Sequence, residues 1–163
     1  MRGFFAIGVE RLSKPMNAGN LFRSAHAFGA SFVFTIDSKN ILESAKSDTS
    51  KSLNHLPTYS YETVEELTLP SNCHLVGVEL TDEAEILPSF KHPKRAVYVL
   101  GPEKGTLSCG LISRCDFIVK IPTKFCINVA MAGAIIMYDR ILSLGDFKPR
   151  PLIARGSQAM LGD

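Results

Sequence analysis

The 163-residue chain has no long apolar run, no clustered cysteines and no marked excess of either charge. Its longest uncharged stretch, Phe125 to Tyr138, is 14 residues. A membrane-crossing helix needs about 20, so no membrane partner is expected. The four cysteines are Cys73, Cys109, Cys115 and Cys126, and no two have the two-residue gap of a zinc site or a redox motif. The four histidines are scattered as well. No metal is therefore expected, and the cysteines read as reduced, mostly buried thiols of a cytoplasmic protein. Met1 to Val9 holds one Arg and a few apolar residues before Glu10 and Arg11. That is too short for a secretory leader. Net charge is only +2, so a nucleic-acid surface would have to be local. Lys14, Arg23, Lys104, Lys120, Lys124, Lys148, Arg150 and Arg155 could form one. There are no internal repeats and no low-complexity segments.

What is present is a compact alternation of apolar runs and helical patterns, which favours one α/β domain. Strands are expected at Phe4–Val9, Phe32–Ile36, Leu75–Leu80, Ala96–Leu100 and Phe117–Ile121. Helices are expected at Asn17–Phe28, closed by Gly29, and at Glu62–Leu67, Leu107–Arg114 and Ile127–Leu144. The stretch from Lys39 to Asn54 is polar and carries no clear pattern. Residues 146–163 contain Pro149, Pro151 and Gly156 and read as an extended tail after a domain at 1–145.

Three segments carry chemistry. In Phe117–Arg140, FIVKIPTKFCINVAMAGAIIMYDR, a strand ends at Pro122 and a short loop leads into a helix rich in small residues. Pro lacks an amide hydrogen and closes the strand. Ala130, Ala132, Gly133 and Ala134 let another backbone approach closely, and no charge appears before Asp139. An ordinary surface helix would show a polar face, so this one is expected to be covered on most sides. In Asn17–Gly29, NAGNLFRSAHAFG, the asparagines can cap a helix. The planar guanidinium of Arg23 can grip phosphate or stay solvated. In Val97–Ser108, VYVLGPEKGTLS, a tight Gly-Pro turn follows a buried strand without the G-x-G-x-x-G pattern of dinucleotide sites.

In order and spacing these three segments resemble the motifs of the SpoU–TrmH branch of the SPOUT RNA methyltransferases. The resemblance runs from Phe4 to about Gly145. It implies a parallel sheet flanked by helices with a C-terminal trefoil knot, which periodicity could not reveal. It also implies an S-adenosylmethionine-dependent RNA 2′-O-ribose methyltransferase acting as a homodimer. By resemblance to the family's smallest members, tRNA is the first expected substrate and rRNA the second. A non-catalytic RNA-binding protein of the same fold is the alternative. Residue by residue, the resemblance implies that Asn17, Arg23, Glu103 and Asn128 belong to the active site. Arg23 would position a phosphate and the ribose hydroxyl, and Glu103 would hold neighbouring loops or orient Arg23. Val78, Leu100, Gly101, Ile121, Cys126 and Ile127 would line the cofactor pocket. Cys126 stands where the family has Ser, and the loop before it is shorter than the family's common form. Cys126 is read as a small buried hydrophobe rather than a nucleophile.

Overall fold

The structure is a computed structural model and describes residues 3–38, 41–46 and 55–150. Its frame is a seven-stranded sheet in the order β3-β2-β1-β6-β4-β7-β5, with every adjacent pair parallel. The strands are β1 (Phe4–Glu10), β2 (Val33–Ile36), β3 (Thr58–Tyr61), β4 (His74–Val78), β5 (Glu85–Ile86), β6 (Arg95–Leu100) and β7 (Phe117–Lys120). Parallel strands need crossover connections and are covered on both faces, so the central ones are apolar throughout. Strand β6 shows this: Ala96, Val97, Tyr98, Val99 and Leu100 are all buried. One core forms under helices α1 (Pro15–Ala27) and α4 (Val129–Leu144); the other lies under α3 (Cys109–Arg114). A short α2 (Ile41–Lys46) packs beside α1.

The expected strands all form, and the structure adds β3 and β5, which are short and lie at the sheet's edges. The sequence signal of such edges is weak because only half of each strand faces a core. In the unpatterned stretch after Ser38, helix α2 forms; residues 39, 40 and 47–54 lie outside the described residues. The helix expected at Glu62–Leu67 is a turn instead. The Leu67 amide closes back on the Val64 carbonyl at 3.2 Å, and the Glu66 carboxylate accepts from the Glu62 amide at 2.8 Å. These local bonds satisfy the backbone without a continuing helix.

Helix α1 begins two residues earlier than the asparagine pattern suggested, because Pro15 takes the first turn, where its missing amide costs nothing. It ends where Gly29 adopts φ +80°, a left-handed conformation that favours glycine. Helix α4 crosses α1 closely. A Cβ on Gly133 would lie 2.2 Å from Leu21 Cδ1, so the small-residue helix does admit a close neighbour. Within this chain α4 is covered on most sides, as expected, with one face left open. Val129, Ala130, Ala132, Gly133, Ile136 and Met137 are buried, but Met131, Ile135 and Tyr138 are exposed along one face.

Polar groups pin the far half of α4 to the amino-terminal ends of the strands. Buried Arg140 donates to the carbonyls of Pro93 (2.6 Å), Lys94 (2.8 Å) and Phe4 (3.3 Å) and to the Tyr98 hydroxyl (3.1 Å). His92 lies 2.6 Å from that hydroxyl and 2.9 Å from Asp139. Burial pushes the Tyr98 hydroxyl up to about 12, against the pull of Arg140. Among the described residues no buried side-chain nitrogen or oxygen lacks a partner.

Candidate active site

Parallel strands bring all their carboxyl ends to one edge, the usual place for a ligand crevice in an open α/β sheet. Here β4, β6 and β7 are neighbours, so Val78, Leu100 and Ile121 come side by side at that edge. They line an open cleft of about 540 Å³, counting solvent at its mouth, together with Gly101, Cys126 and Ile127. All six residues named from the sequence for the cofactor pocket thus meet around one cavity. Glu79, Leu80, Pro102, Gly105, Thr123 and Ala132 complete its lining. Apolar walls with accessible backbone groups suit a purine and its sugar. Gly101 keeps the cleft open: a Cβ there would sit 3.3 Å from the Leu107 amide nitrogen and 3.5 Å from a Glu79 carboxylate oxygen. These features fit an adenosine-bearing cofactor such as S-adenosylmethionine.

Beside the cleft, one chain of hydrogen bonds joins the three sequence segments. Asn128 donates from Nδ2 to Asn17 Oδ1 at 3.0 Å, and Asn17 donates from Nδ2 to Glu103 Oε1 at 3.1 Å. Asn128 is also the N-cap of α4; its Oδ1 accepts from the amides of Ala130 (2.9 Å) and Met131 (3.3 Å). Glu103 further accepts from the Ser13 amide (3.1 Å), the Ser13 hydroxyl (3.0 Å) and the Lys14 amide (2.9 Å). Lys14 is the N-cap of α1 but supplies no side-chain cap. Glu103 takes that role from 89 residues away, and the asparagines expected to cap this helix do not. Partial burial works to raise the Glu103 pKa. Bonds from its own amide, Ser13, Asn17 and Lys14 outweigh it and hold the carboxyl below its usual 4.5.

Two more carboxylates fix the loop between β6 and α3. Buried Glu10 accepts from the Ser108 amide at 2.8 Å and from the Ser108 hydroxyl. Arg11, at φ 53°, donates to the Thr106 carbonyl. Glu79 accepts from the Leu107 amide at 2.7 Å and from the Leu80 amide at 3.0 Å. Sequence reasoning missed Glu10, Arg11 and Glu79. Their signal was there: in FFAIGVE and HLVGVE an acid directly follows a buried apolar strand, where strand ends meet the ligand edge.

Not every residue named from the sequence joins this cluster. Arg23 is exposed on α1 and has no hydrogen bond or ion pair among the described residues, so Glu103 holds the Ser13–Asn17 turn and does not orient Arg23. Cys126 is exposed at the cleft rim, which corrects its reading as a buried hydrophobe; the polar loop before it leaves nothing to cover the thiol. The thiols as a group are not mostly buried either. Cys109 is exposed too, while Cys73 and Cys115 are half-buried, and burial pushes the Cys115 thiol up to about 12. All four are free. Of the basic residues, Lys14, Arg23, Lys104, Lys124, Lys148 and Arg150 are exposed. Lys120 is engaged with the carbonyls of Thr81 (2.8 Å) and Asp82 (3.1 Å), and Arg155 lies outside the described residues. No group of His, Cys, Asp and Glu suited to a metal occurs among the described residues, and none of their helices is long and apolar enough to cross a membrane.

Comparison with known proteins follows the same lines. The chain is 24% identical over 146 residues to mouse tRNA (guanosine(18)-2'-O)-methyltransferase TARBP1, covering 78% of this chain and 9% of that protein. It therefore spans a small part of that curated relative. Its fold is similar to the AdoMet-bound rRNA methyltransferase from Sinorhizobium meliloti, with TM-score 0.75, 20% identity, and 90% of this chain and 59% of that one covered. It is also similar to a structure described as giving insights into the 2-OH methylation of C/U34 on tRNA. There the TM-score is 0.70 and the identity 18%, with 88% of this chain and 98% of that one covered. Residues 5–138, most of the sequence, match the family described as SpoU rRNA Methylase, and the chain belongs to that family.

Proposed function

We propose that this protein transfers a methyl group from S-adenosylmethionine to a ribose 2′-hydroxyl of RNA. The observation that carries the reading is the continuous Glu103–Asn17–Asn128 hydrogen-bond chain at the edge of a cleft built by β4, β6 and β7. The bound cofactor would supply an electrophilic methyl group on a sulfonium. Val78, Leu100, Ile121 and Ile127 would hold its adenosine part between apolar walls. The chain's task is then alignment, which can lower a barrier by several kcal/mol. Asn17 and Asn128 each use one amide hydrogen within the chain and keep a second for a substrate oxygen. Glu103 accepts four bonds and has a lowered pKa, so it positions and does not abstract the proton. Exposed Arg23, with no hydrogen bond or ion pair among the described residues, is suited to hold the RNA phosphate and its ribose hydroxyl.

Transfer RNA is the first substrate of this reading and ribosomal RNA the second. A protein studied for tRNA methylation is covered over 98% of its length, so the present fold by itself matches a protein of similar extent. The reading includes a homodimer, for which the exposed Met131–Ile135–Tyr138 face of α4 is the supporting feature. It also includes a C-terminal trefoil knot and a cytoplasmic location. Light scattering should give twice the monomer mass. Calorimetry should show S-adenosylmethionine binding undiminished by a chelator. Single-turnover assays should methylate tRNA riboses faster than rRNA fragments. Absence of cofactor binding, or binding that requires zinc, would overturn the reading.

A further inference from the structure

Glu79 brings the only carboxylate among the residues that line the cleft. It directly follows β4, whose pairing with β7 continues through the Glu79 amide to the Val119 carbonyl at 3.0 Å. Both of its oxygens are held by backbone amides, Oε2 by Leu107 and Oε1 by Leu80. The carboxylate is therefore fixed in place. A carboxylate offers about four lone-pair sites, and these two bonds use half of them. No cation pairs with it among the described residues. A fixed, half-buried acceptor with spare capacity, set in an otherwise apolar cleft, calls for a ligand that donates hydrogen bonds.

Topology says which part of a ligand that is. The Asn17–Glu103 bond joins the start of α1, after β1, to the loop after β6, whereas Glu79 lies at the end of β4, on the other side of β6 from β1. Among the described residues Glu79 shares no hydrogen bond with that cluster; its carboxylate is held by the amides of Leu107 and Leu80. A carboxylate that lines the cleft and stands outside the cluster is placed to meet the nucleoside and not the reacting centre. A vicinal ribose diol presents two adjacent donors, which a carboxylate can accept together.

We propose that Glu79 recognises the ribose 2′,3′-diol of the nucleoside cofactor. The proposal rests on the reading of the cleft as an S-adenosylmethionine site. Its test is calorimetry on the full chain with S-adenosylmethionine, S-adenosylhomocysteine, adenosine and 2′,3′-dideoxyadenosine. The wild type should bind adenosine at least about tenfold more tightly than the dideoxy compound, equivalent to about 1.4 kcal/mol. Glu79→Gln keeps an acceptor for the Leu107 amide, so its thermal midpoint reports whether the loop survives. In that variant the preference for adenosine should shrink severalfold, and S-adenosylmethionine and S-adenosylhomocysteine should weaken by the same factor. Wild type that binds S-adenosylmethionine but does not discriminate between the two nucleosides overturns the inference and leaves the function intact. So does a Gln variant that discriminates as well as wild type. Selective loss of the sulfonium compound would assign Glu79 a charge role instead and equally overturn it. Wild type that binds none of the four overturns the functional reading itself.

Discussion

Removal of the Glu103 carboxylate should damage the fold as well as the chemistry. In Glu103→Ala, four donors lose their acceptor: the Ser13 amide and hydroxyl, the Lys14 amide and Asn17 Nδ2. The first three are exposed, so water can replace the carboxylate at a cost of about 0.5–1.5 kcal/mol each or less. Asn17 is buried, and the loss of a charge-assisted bond there costs about 1.5–3 kcal/mol. Shared solvation makes these effects less than additive, which leaves about 2–4 kcal/mol. For a chain of this length that lowers the thermal midpoint by about 5–15 °C. The effect should depend on pH with a definite sign. The folded-state pKa of Glu103 lies below its usual 4.5, so its stabilisation is complete above that value and fades as pH falls through the lowered one. Differential scanning calorimetry of wild type and Glu103→Ala at pH 7 and at pH 4 or below measures both. A difference at pH 7 under about 2 °C, or one that widens on acidification, would refute the idea that this carboxylate caps α1 from across the chain.

Arg23→Ala should leave stability within about 0.5 kcal/mol, because Arg23 is exposed and has no partner among the described residues. It should lower single-turnover methyl transfer by about a hundredfold or more at saturating RNA and cofactor; an unchanged single-turnover rate would reduce Arg23 to a docking contact. Cys126→Ser should keep activity within about threefold, since no hydrogen bond joins the thiol to a base among the described residues, and a thousandfold loss would restore a covalent role. Asn128→Ala removes the α4 cap and the bond to Asn17, and should cost about 1–2 kcal/mol, seen as a midpoint about 3–8 °C lower. His92 has a lowered pKa: burial dominates, the Asp139 bond and charge oppose it, and Arg140 adds to it. The unfolded chain then takes up the proton first. Stability from neutral His92 is complete above pH 6.5 and declines, by at most about 1.4 kcal/mol per pH unit, as pH falls through the folded value. The stability gap between wild type and His92→Asn in urea should narrow from pH 7.5 to 5.5, and a gap independent of pH would refute this.

The central strands and the two long helices were legible in the sequence alone, and the family resemblance pointed to the residues of the cleft. Central parallel strands are apolar on both faces, so β1, β4, β6 and β7 appear as plain hydrophobic runs. Parallel strands share one carboxyl edge, and the order β6-β4-β7 brings Val78, Leu100, Gly101 and Ile121 together there. Gly133 likewise announced the close crossing with α1 that Leu21 makes. Tertiary structure alone decided who bonds to whom. Nothing local in GPEKG tells that Glu103 caps a helix 89 residues earlier, or that Glu10 reaches the Ser108 N-cap 98 residues on. Such bonds depend on β1 and β6 being neighbours, which is a property of strand order and not of either segment. The exposure of Cys126 and of the Met131–Ile135–Tyr138 face was equally beyond the local pattern. An apolar residue records that burial would be favourable, but only the packed chain shows whether a neighbour has arrived to provide it.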